Sequence, residues 1–526
     1  MLQADNERRD IRVFDSEWDS GLNGWLRGLG RKGKPFERAR RKVEGPKTRM
    51  LRQPDYRTQI EEVGMKRLLA ALGVAAIVFS LALPGAAQEV VSAKASRVTI
   101  GGYIDFDAVA RQKDIFLLYD DRDEHFVNTD IAIDLTIDMT DNVSAFIRLR
   151  DNWVYDEFRD VGDTGLFDID TIMGINLGTY GPQYPVHVWG NSWWDTDSWL
   201  AVEQAYIDVK EFLVPELDLR LGLQNLVWDL RGNGDEFVLN VNENHGYCPI
   251  DAGAWKATYD ADPLVVEGFV ATLFETLGYT KDKALYGALA TYPFDDMSKG
   301  QLGVLVYNND SVQLYIVDVG VDYWLNEDTE IYGEAAFNFG EALAAGPDVE
   351  FDANGWGGYA GGMYTFSEVE WTPSVDLSFW YLSGEGDSTP PFVDGDSDAF
   401  LTFEDVDTFA IIEENHYGWD IESNYWAVKA CASAKPREDL TADLKVGWFQ
   451  RTEKYEDVLG WEEENIGTEV DASLTWQYSE NLSVTGAVAY LFGSDVLEEI
   501  LLDVVGDPDL VGDSGYMASL STMLVF

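Results

Sequence analysis

The chain has 526 residues, with 94 Asp and Glu against 38 Lys and Arg, a formal net charge of −56. Such acidity excludes nucleic acid as a partner, because it offers few cations to displace the counterions around phosphate. It does not mark disorder, since 13% of the residues are aromatic and 48 are glycine. Cys248 and Cys431 are the only cysteines, too few for a disulfide framework, although one bridge between them stays open.

Residues 1–64 are polar and basic, most densely at Arg38-Ala39-Arg40-Arg41-Lys42, and show no sustained period. Met65-Lys66-Arg67 then precedes an uncharged run from Leu68 to Leu83 and the small-residue exit Pro84-Gly85-Ala86-Ala87. A basic start, an apolar core and small residues read as a secretory signal over 65–87, cleaved after Ala87. The plainer alternative is an anchor that stays attached. Against it, the 16-residue run falls short of the roughly 20 residues a helix needs to cross a bilayer. Met65 is therefore the expected start, with 1–64 an upstream extension outside the translated protein or a disordered segment. Beyond residue 87 the chain keeps 21 basic and 83 acidic residues.

From there the pattern has period 2. Ile131, Ile133, Leu135, Ile137 and Met139 share one face, and Asp130, Asp134 and Asp138 share the other. After the turn Thr140-Asp141-Asn142, the residues Val143, Ala145, Ile147 and Leu149 oppose Ser144, Arg148 and Arg150. Leu440 to Trp448 and Val470 to Tyr478 alternate in the same way. The last strand places Tyr516, Ala518, Leu520, Thr522, Leu524 and Phe526 on one face. A strand of a soluble sandwich would alternate too. Segments of about ten residues with one apolar and one polar face, ending on an aromatic carboxyl terminus, instead fit a transmembrane β-barrel whose final strand is presented to the barrel-assembly machinery.

Connection lengths separate the two architectures. Short turns near 140, 213, 261, 296, 327, 370, 436 and 480 alternate with connections near 112–127, 154–199, 227–252, 275–281, 308–311, 341–355, 384–417, 453–466 and 493–513. Most of the second set are long and polar. Short periplasmic turns and long extracellular loops produce that rhythm, and Greek keys do not. The expected fold is all-β: an antiparallel up-and-down outer-membrane barrel over 88–526, with about 18 strands, or 16. Tyr103, Trp153, Tyr259, Tyr323, Trp448, Tyr478 and Tyr516 are candidates for interfacial girdles. The first strand, near Val98–Ala110, is expected to close on the last.

A barrel of this size holds an aqueous interior unless loops fill it. Candidate pore-lining residues are Arg148, Arg150, Lys210, Arg220, Gln224, Asp134, Asp138, Asp208, Asp318, Asp322, Glu334, Asp443, Lys445, Glu469 and Asp471, with Glu203, Asp218, Asp376 and Lys256 beside them. The signs are segregated. Between Lys299 and Lys429 there is no Lys or Arg against 26 Asp and Glu, whereas the arginines lie on early strands. Opposed charge clusters across a pore orient polar solutes and bias ion flux. For the loop acids, divalent-cation binding or a saline habitat is an equally good account.

Gln204-Ala205-Tyr206-Ile207-Asp208, followed one turn later by Leu219-Arg220-Leu221-Gly222-Leu223-Gln224, and then Asn415-His416-Tyr417-Gly418-Trp419-Asp420, together resemble the alginate-export porins. The resemblance implies a monomeric 18-stranded outer-membrane barrel over most of 88–526. The family's Gly-Arg-Gln is Gly222-Leu223-Gln224 here, so one arginine is missing. Export of a polyuronate needs an electropositive pore, and a wall this acidic repels such a chain. The architecture carries over and the substrate does not.

Other signals are weaker. Asp394, Asp396, Asp398 and Asp405 mimic a calcium loop, but Ala399 replaces the glycine of its sharp turn, which leaves only a loosely held surface Ca²⁺. Gly512-Asp513-Ser514-Gly515 looks like a hydrolase nucleophile segment, yet only twelve residues follow Ser514 and no matching His and Asp context appears, so no enzyme is expected. His125, His187, His245 and His416 lack metal-ligand spacing, and no cofactor motif exists. The expected function is passive passage of small solutes or oligosaccharides, cation-leaning, through a lumen narrowed by an inward loop. The favoured loop is 154–199, whose Trp189, Trp193 and Trp194 suit sugar rings, with 227–252 second. The alternative is a non-conducting surface barrel whose acidic loops bind divalent cations, lipopolysaccharide or cell-surface partners.

Overall fold

The wall of the molecule follows from alternation. On Gln313–Asn326, Val319, Val321, Tyr323 and Leu325 point out and are exposed, while Asp318 and Asp322 point in and are buried. Repeating that pattern strand after strand produces a sheet with an apolar outer face, which closure alone can rid of edges. The computed structural model describes residues 97–111, 124–156, 201–232, 237–241, 252–274, 283–308, 313–343, 350–384, 396–401, 408–413, 423–454, 463–496 and 514–526. The expected signal 65–87, the upstream residues 1–64, the loop residues 157–200 and Cys248 lie outside them.

In chain order the described strands are β1 (Arg97–Arg111), β2 (Glu124–Asp138), β3 (Val143–Asp156), β4 (Ala201–Val209), β5 (Leu217–Gln224), β6 (Leu226–Val227), β7 (Asn240–Val241), β8 (Ala252–Asp260), β9 (Val265–Phe274), β10 (Lys283–Pro293) and β11 (Lys299–Asn308). They continue as β12 (Gln313–Asn326), β13 (Thr329–Leu343), β14 (Glu350–Ala353), β15 (Trp356–Thr365), β16 (Ser374–Leu382), β17 (Asp396–Ser397), β18 (Tyr425–Arg437), β19 (Leu440–Arg451), β20 (Asn465–Ser479), β21 (Leu482–Phe492) and β22 (Gly515–Val525). Setting aside the short β6, β7, β14 and β17, each strand pairs antiparallel with the next, and β22 pairs with β1. The wall is a closed antiparallel barrel of 18 strands, not 16. No described helix is long and apolar enough to cross a membrane.

Closure is tight at its seam. Tyr103 to Arg111 pairs with Val525 to Met517, and the terminal Phe526 exchanges backbone hydrogen bonds with Gly102 at 3.0 and 3.1 Å. Gly102 has φ +149°, and a Cβ there would meet the carbonyl oxygen of Ala132 at 2.1 Å and the Phe526 ring at 3.0 Å. Only glycine fits under the closing residue.

The short turns all gather at one end of the barrel, and the strand ends that lead into the long connections gather at the other, as the rhythm requires. Side chains brace the turns. Asp295 accepts the backbone N–H groups of Met297 and Ser298 at 2.9 and 2.7 Å, which hold its carboxyl below the usual carboxylate range. Asp439 is held low by its hydrogen bond from Arg437. Tyr259, Tyr323, Trp448 and Tyr478 are exposed on the outer face. Tyr103 is not among them: it turns inward and donates its hydroxyl proton to Asp130 at 3.0 Å. The outward parity on β1 belongs to Ile104 and Phe106.

Candidate functional site: the barrel interior

Cross-strand register builds the charged part of the interior. Asp134 on β2 stands opposite Arg148 on β3, and Asp208 on β4 opposite Arg220 on β5. Both arginines bind their partners bidentately, Arg148 at 2.7 and 3.0 Å and Arg220 at 2.7 and 3.1 Å, and Arg220 also lies 4.0 Å over the Tyr206 ring. Arg150 is buried between Asp130 and Glu203, with Nη1 2.8 Å from Glu203 Oε1. Lys256 pairs with Glu267 at 3.0 Å. Register slips between Arg148 and Leu149, so the adjacent Glu203 and Gln204 are both buried inside. A bulge breaks the strict alternation there. Arg148, Arg150 and Arg220 are therefore not bare cations.

Other candidates hold backbone. Gln224 donates its amide to the carbonyls of Ala254 and Gly222 at 3.0 and 3.2 Å. Lys210 stands exposed in the turn 210–216, off the wall, with its N–H on the carbonyl of Asn142. Asp138 is exposed at the same end, on the last position of β2.

Two segments fold into the lumen. The first leaves β5, pairs β6 with β7, and buries Trp228, Leu230, Phe237, Val238 and Leu239 almost completely. Its Arg231 binds Glu330 at 2.8 Å and Asp376 at 3.1 Å and lies 3.4 Å over the Tyr332 ring. Glu330 is two residues past the turn 327–328, so this hairpin descends from the long-loop end to the short-turn end. The basic group missing from the acidic stretch 300–428 is thus supplied by a remote loop.

The second segment, described over 396–401 and 408–413, meets the first where Phe237 stacks on Phe400 at 5.3 Å, edge-on to Tyr359 and Trp380. Its backbone is held by wall side chains expected to line the pore. Glu469 accepts the N–H groups of Ile411 and Ile412 at 2.7 and 2.9 Å, and Asp471 that of Ala410 at 3.0 Å. Lys445 donates to the carbonyl of Thr408 at 2.6 Å. Glu413 is clasped by Lys429 at 2.6 Å and by the Tyr425 hydroxyl at 2.7 Å. Buried charges persist only when satisfied in this way.

The lumen is consequently lopsided. From β11 round to β18 the inward side chains are mostly buried against the two segments. Partly exposed inward side chains concentrate on the opposite arc: Asp134, Arg148, Asp208 and Arg220, then Ser473, Thr485 and Ser521. A cavity of about 200 Å³ lies beneath Thr408–Ala410, bounded by Asp443, Lys445, Asp471 and Ser473.

No family model and no curated protein matches the sequence. Solved structures do. A BenF-like porin from Pseudomonas fluorescens Pf-5 superposes with a TM-score of 0.50 at 9% identity, over 82% of this chain and 98% of that one. OccAB4 of Acinetobacter baumannii gives 0.50 at 14% identity, over 83% and 99%. OccAB2 of the same organism gives 0.50 at 10%, over 82% and 98%. The likeness is one of fold. It is a likeness to porin barrels, and it does not single out the alginate-export porins.

Within this porin-like barrel the sequence reading passed over Arg231, Trp228, Phe237 and Glu413. A signal for the first three existed: Leu226, Trp228 and Leu230 alternate, Phe237 and Leu239 alternate, and the sequence Gly232-Asn233-Gly234 between them is a hairpin-turn signal. The loop ranked first, 154–199, falls mostly outside the described residues, while the loop ranked second supplies the hairpin. Asp394, Asp405 and the segment 415–420 also lie outside them.

Proposed function

We propose that the protein is an outer-membrane channel that lets small hydrophilic solutes diffuse through an eccentric passage and favours cations. The carrying observation is the pairing of an apolar outer face with a half-filled lumen whose open arc is lined by ion pairs and hydroxyls. Three basic groups on that arc are matched by acids (Arg148 with Asp134, Arg220 with Asp208, Lys256 with Glu267), and Asp443 adds negative charge beyond them. The net field therefore draws cations in. In this reading Asp134, Asp138, Asp208, Asp318, Asp322, Glu334, Asp443, Glu469 and Asp471 make up the acidic interior. The short turns are periplasmic and the long loops extracellular. Residues 65–87 direct export, and Phe526 presents the closing strand to the assembly machinery. Lipopolysaccharide and surface Ca²⁺ are the partners that the acidic loops suit. A kinship with alginate-export porins would be one of architecture; of the matching runs, 204–208 and 219–224 fall on adjacent strands β4 and β5, joined by the Asp208–Arg220 pair.

The apolar filling on the other arc favours a second reading, a non-conducting surface barrel. Planar-bilayer recording decides between them. Discrete ion steps with a cation-selective reversal potential are the expected result. Silence at every voltage would remove the channel reading, and anion preference would remove the acidic-lumen account.

A further inference from the structure

The hairpin from β6 to β7 covers two carboxyls that have too few partners. Asp318 and Glu334 point inward from β12 and β13 and are 0% and 4% exposed. A single amide serves both: Gln301 Nε2 donates to Asp318 Oδ2 at 2.9 Å and to Glu334 Oε1 at 3.0 Å. The Tyr359 hydroxyl donates to Glu334 Oε2 at 2.8 Å. Asp318 Oδ1 has no donor, and the shared Gln301 amide holds the two carboxyls side by side. A hydrogen bond between two carboxyl groups needs a proton on one of them. Among the described residues neither group has an ion-pair partner, and two bare carboxylates side by side in a dry site cannot both persist.

The surroundings offer no relief. Asp229 of the hairpin faces Glu334. Asp322, four residues along β12, has an Oδ1 without a donor and faces Glu330 of β13. Arg231 is committed to Glu330 and to Asp376 of β16, which also accepts from Tyr332, and Lys299 of β11 acts on Asp322. The hairpin sits directly on the pair. A Cβ added at Gly320 would lie 2.6 Å from Leu230 Cδ2 and 3.3 Å from Glu334 Cγ.

We propose that Asp318 and Glu334 form a proton-binding site, in which one shared proton keeps the hairpin seated in the lumen. With the proton in place one carboxyl donates to the other, and the pair carries a single negative charge beneath Leu230. Deprotonation releases the proton to solvent and leaves two carboxylates beside Asp229. Water then reaches them by displacement of the hairpin, which among the described residues is tied to the wall by side chains and not by a strand ladder. The hold is complete at low pH and is lost as pH rises.

The test follows amide hydrogen exchange of 226–241 in the detergent-solubilised full chain between about pH 5 and pH 9, corrected for intrinsic exchange. Protection should fall roughly tenfold or more across that range, and bilayer conductance should rise with it. In the D318N/E334Q double variant, whose amides mimic a carboxyl that cannot ionise, protection should stay high throughout. Glu480→Gln, in the turn 480–481, should follow the wild-type curve. A wild-type profile flat with pH overturns the proposal even if the double variant fails to fold, as does a double variant that tracks wild type. Because only the conductance arm rests on the channel reading, pH-dependent protection in a non-conducting protein would sink that reading and support this one.

Discussion

The arc from β2 to β9 and the arc from β11 to β18 are built from the same alternating strands, yet their interiors obey different physics. On the first, opposite charges stand across neighbouring strands, so ion pairs are closed locally, and those of Arg148, Arg220 and Lys256 stay partly hydrated. On the second, the wall brings mostly carboxylates, and partners arrive from an inward segment, Arg231 for Glu330 and Asp376; farther round, on β20, a second inward segment brings backbone N–H groups to Glu469 and Asp471. A surplus of one charge on a wall is thus no guide to the charge a solute meets. It can instead mark where another part of the chain must dock.

The largest effect expected from breaking that contrast comes from replacing 227–239 by a short Gly-Ser linker. Conductance should rise roughly three- to tenfold, since an unobstructed barrel of this size holds a water-filled lumen, and single-channel recording measures it. Next is Phe237→Ala, which removes the ring shared by Phe400, Tyr359 and Trp380. It should cost about 3–5 kcal/mol of hairpin docking, read as lost amide protection over 237–241. Arg231→Ala strands two acids and should cost about 3 kcal/mol, with Glu330→Gln in the same background recovering part of the protection. Arg148→Ala or Arg220→Ala acts on the hydrated arc, where pairs are worth about 0–1 kcal/mol. Stability should barely change while the reversal potential moves toward greater cation preference. An unchanged potential would place these arginines off the ion path.

The smallest effect concerns the turns. Asp295 and Asp439 sit below their ordinary carboxylate range because backbone N–H groups and Arg437 hold their charged forms. Their contribution is complete above the unfolded carboxylate range and is lost as pH falls through the lowered values. Asp295→Asn should therefore flatten a shallow acid limb in barrel unfolding, followed by the heat-dependent shift of the folded band on a gel.

Much of the wall was legible because a strand's faces are set by a local period. Val319 and Asp318 declare opposite sides through their position alone, and the turns at 140, 327 and 480 announce themselves by length. Tyr103 misled because an aromatic near a strand end suits an interface equally well from either face, and only Asp130 decides. Glu203 and Gln204 could not both be placed by parity, since the bulge that admits them depends on β3. Arg231 lies 99 residues from Glu330, and its pairing depends on a descent through the lumen.

By itself the sequence determined the barrel, its strand directions, the alternation of short and long connections, and the face turned to lipid, because each follows from interactions within or between adjacent segments. Tertiary structure alone decided which side of the lumen is filled, which charges are spent on anchoring, and where an acid is left to share a proton. Those outcomes depend on contacts between residues far apart in the chain, brought together only when the barrel closes around its own loops.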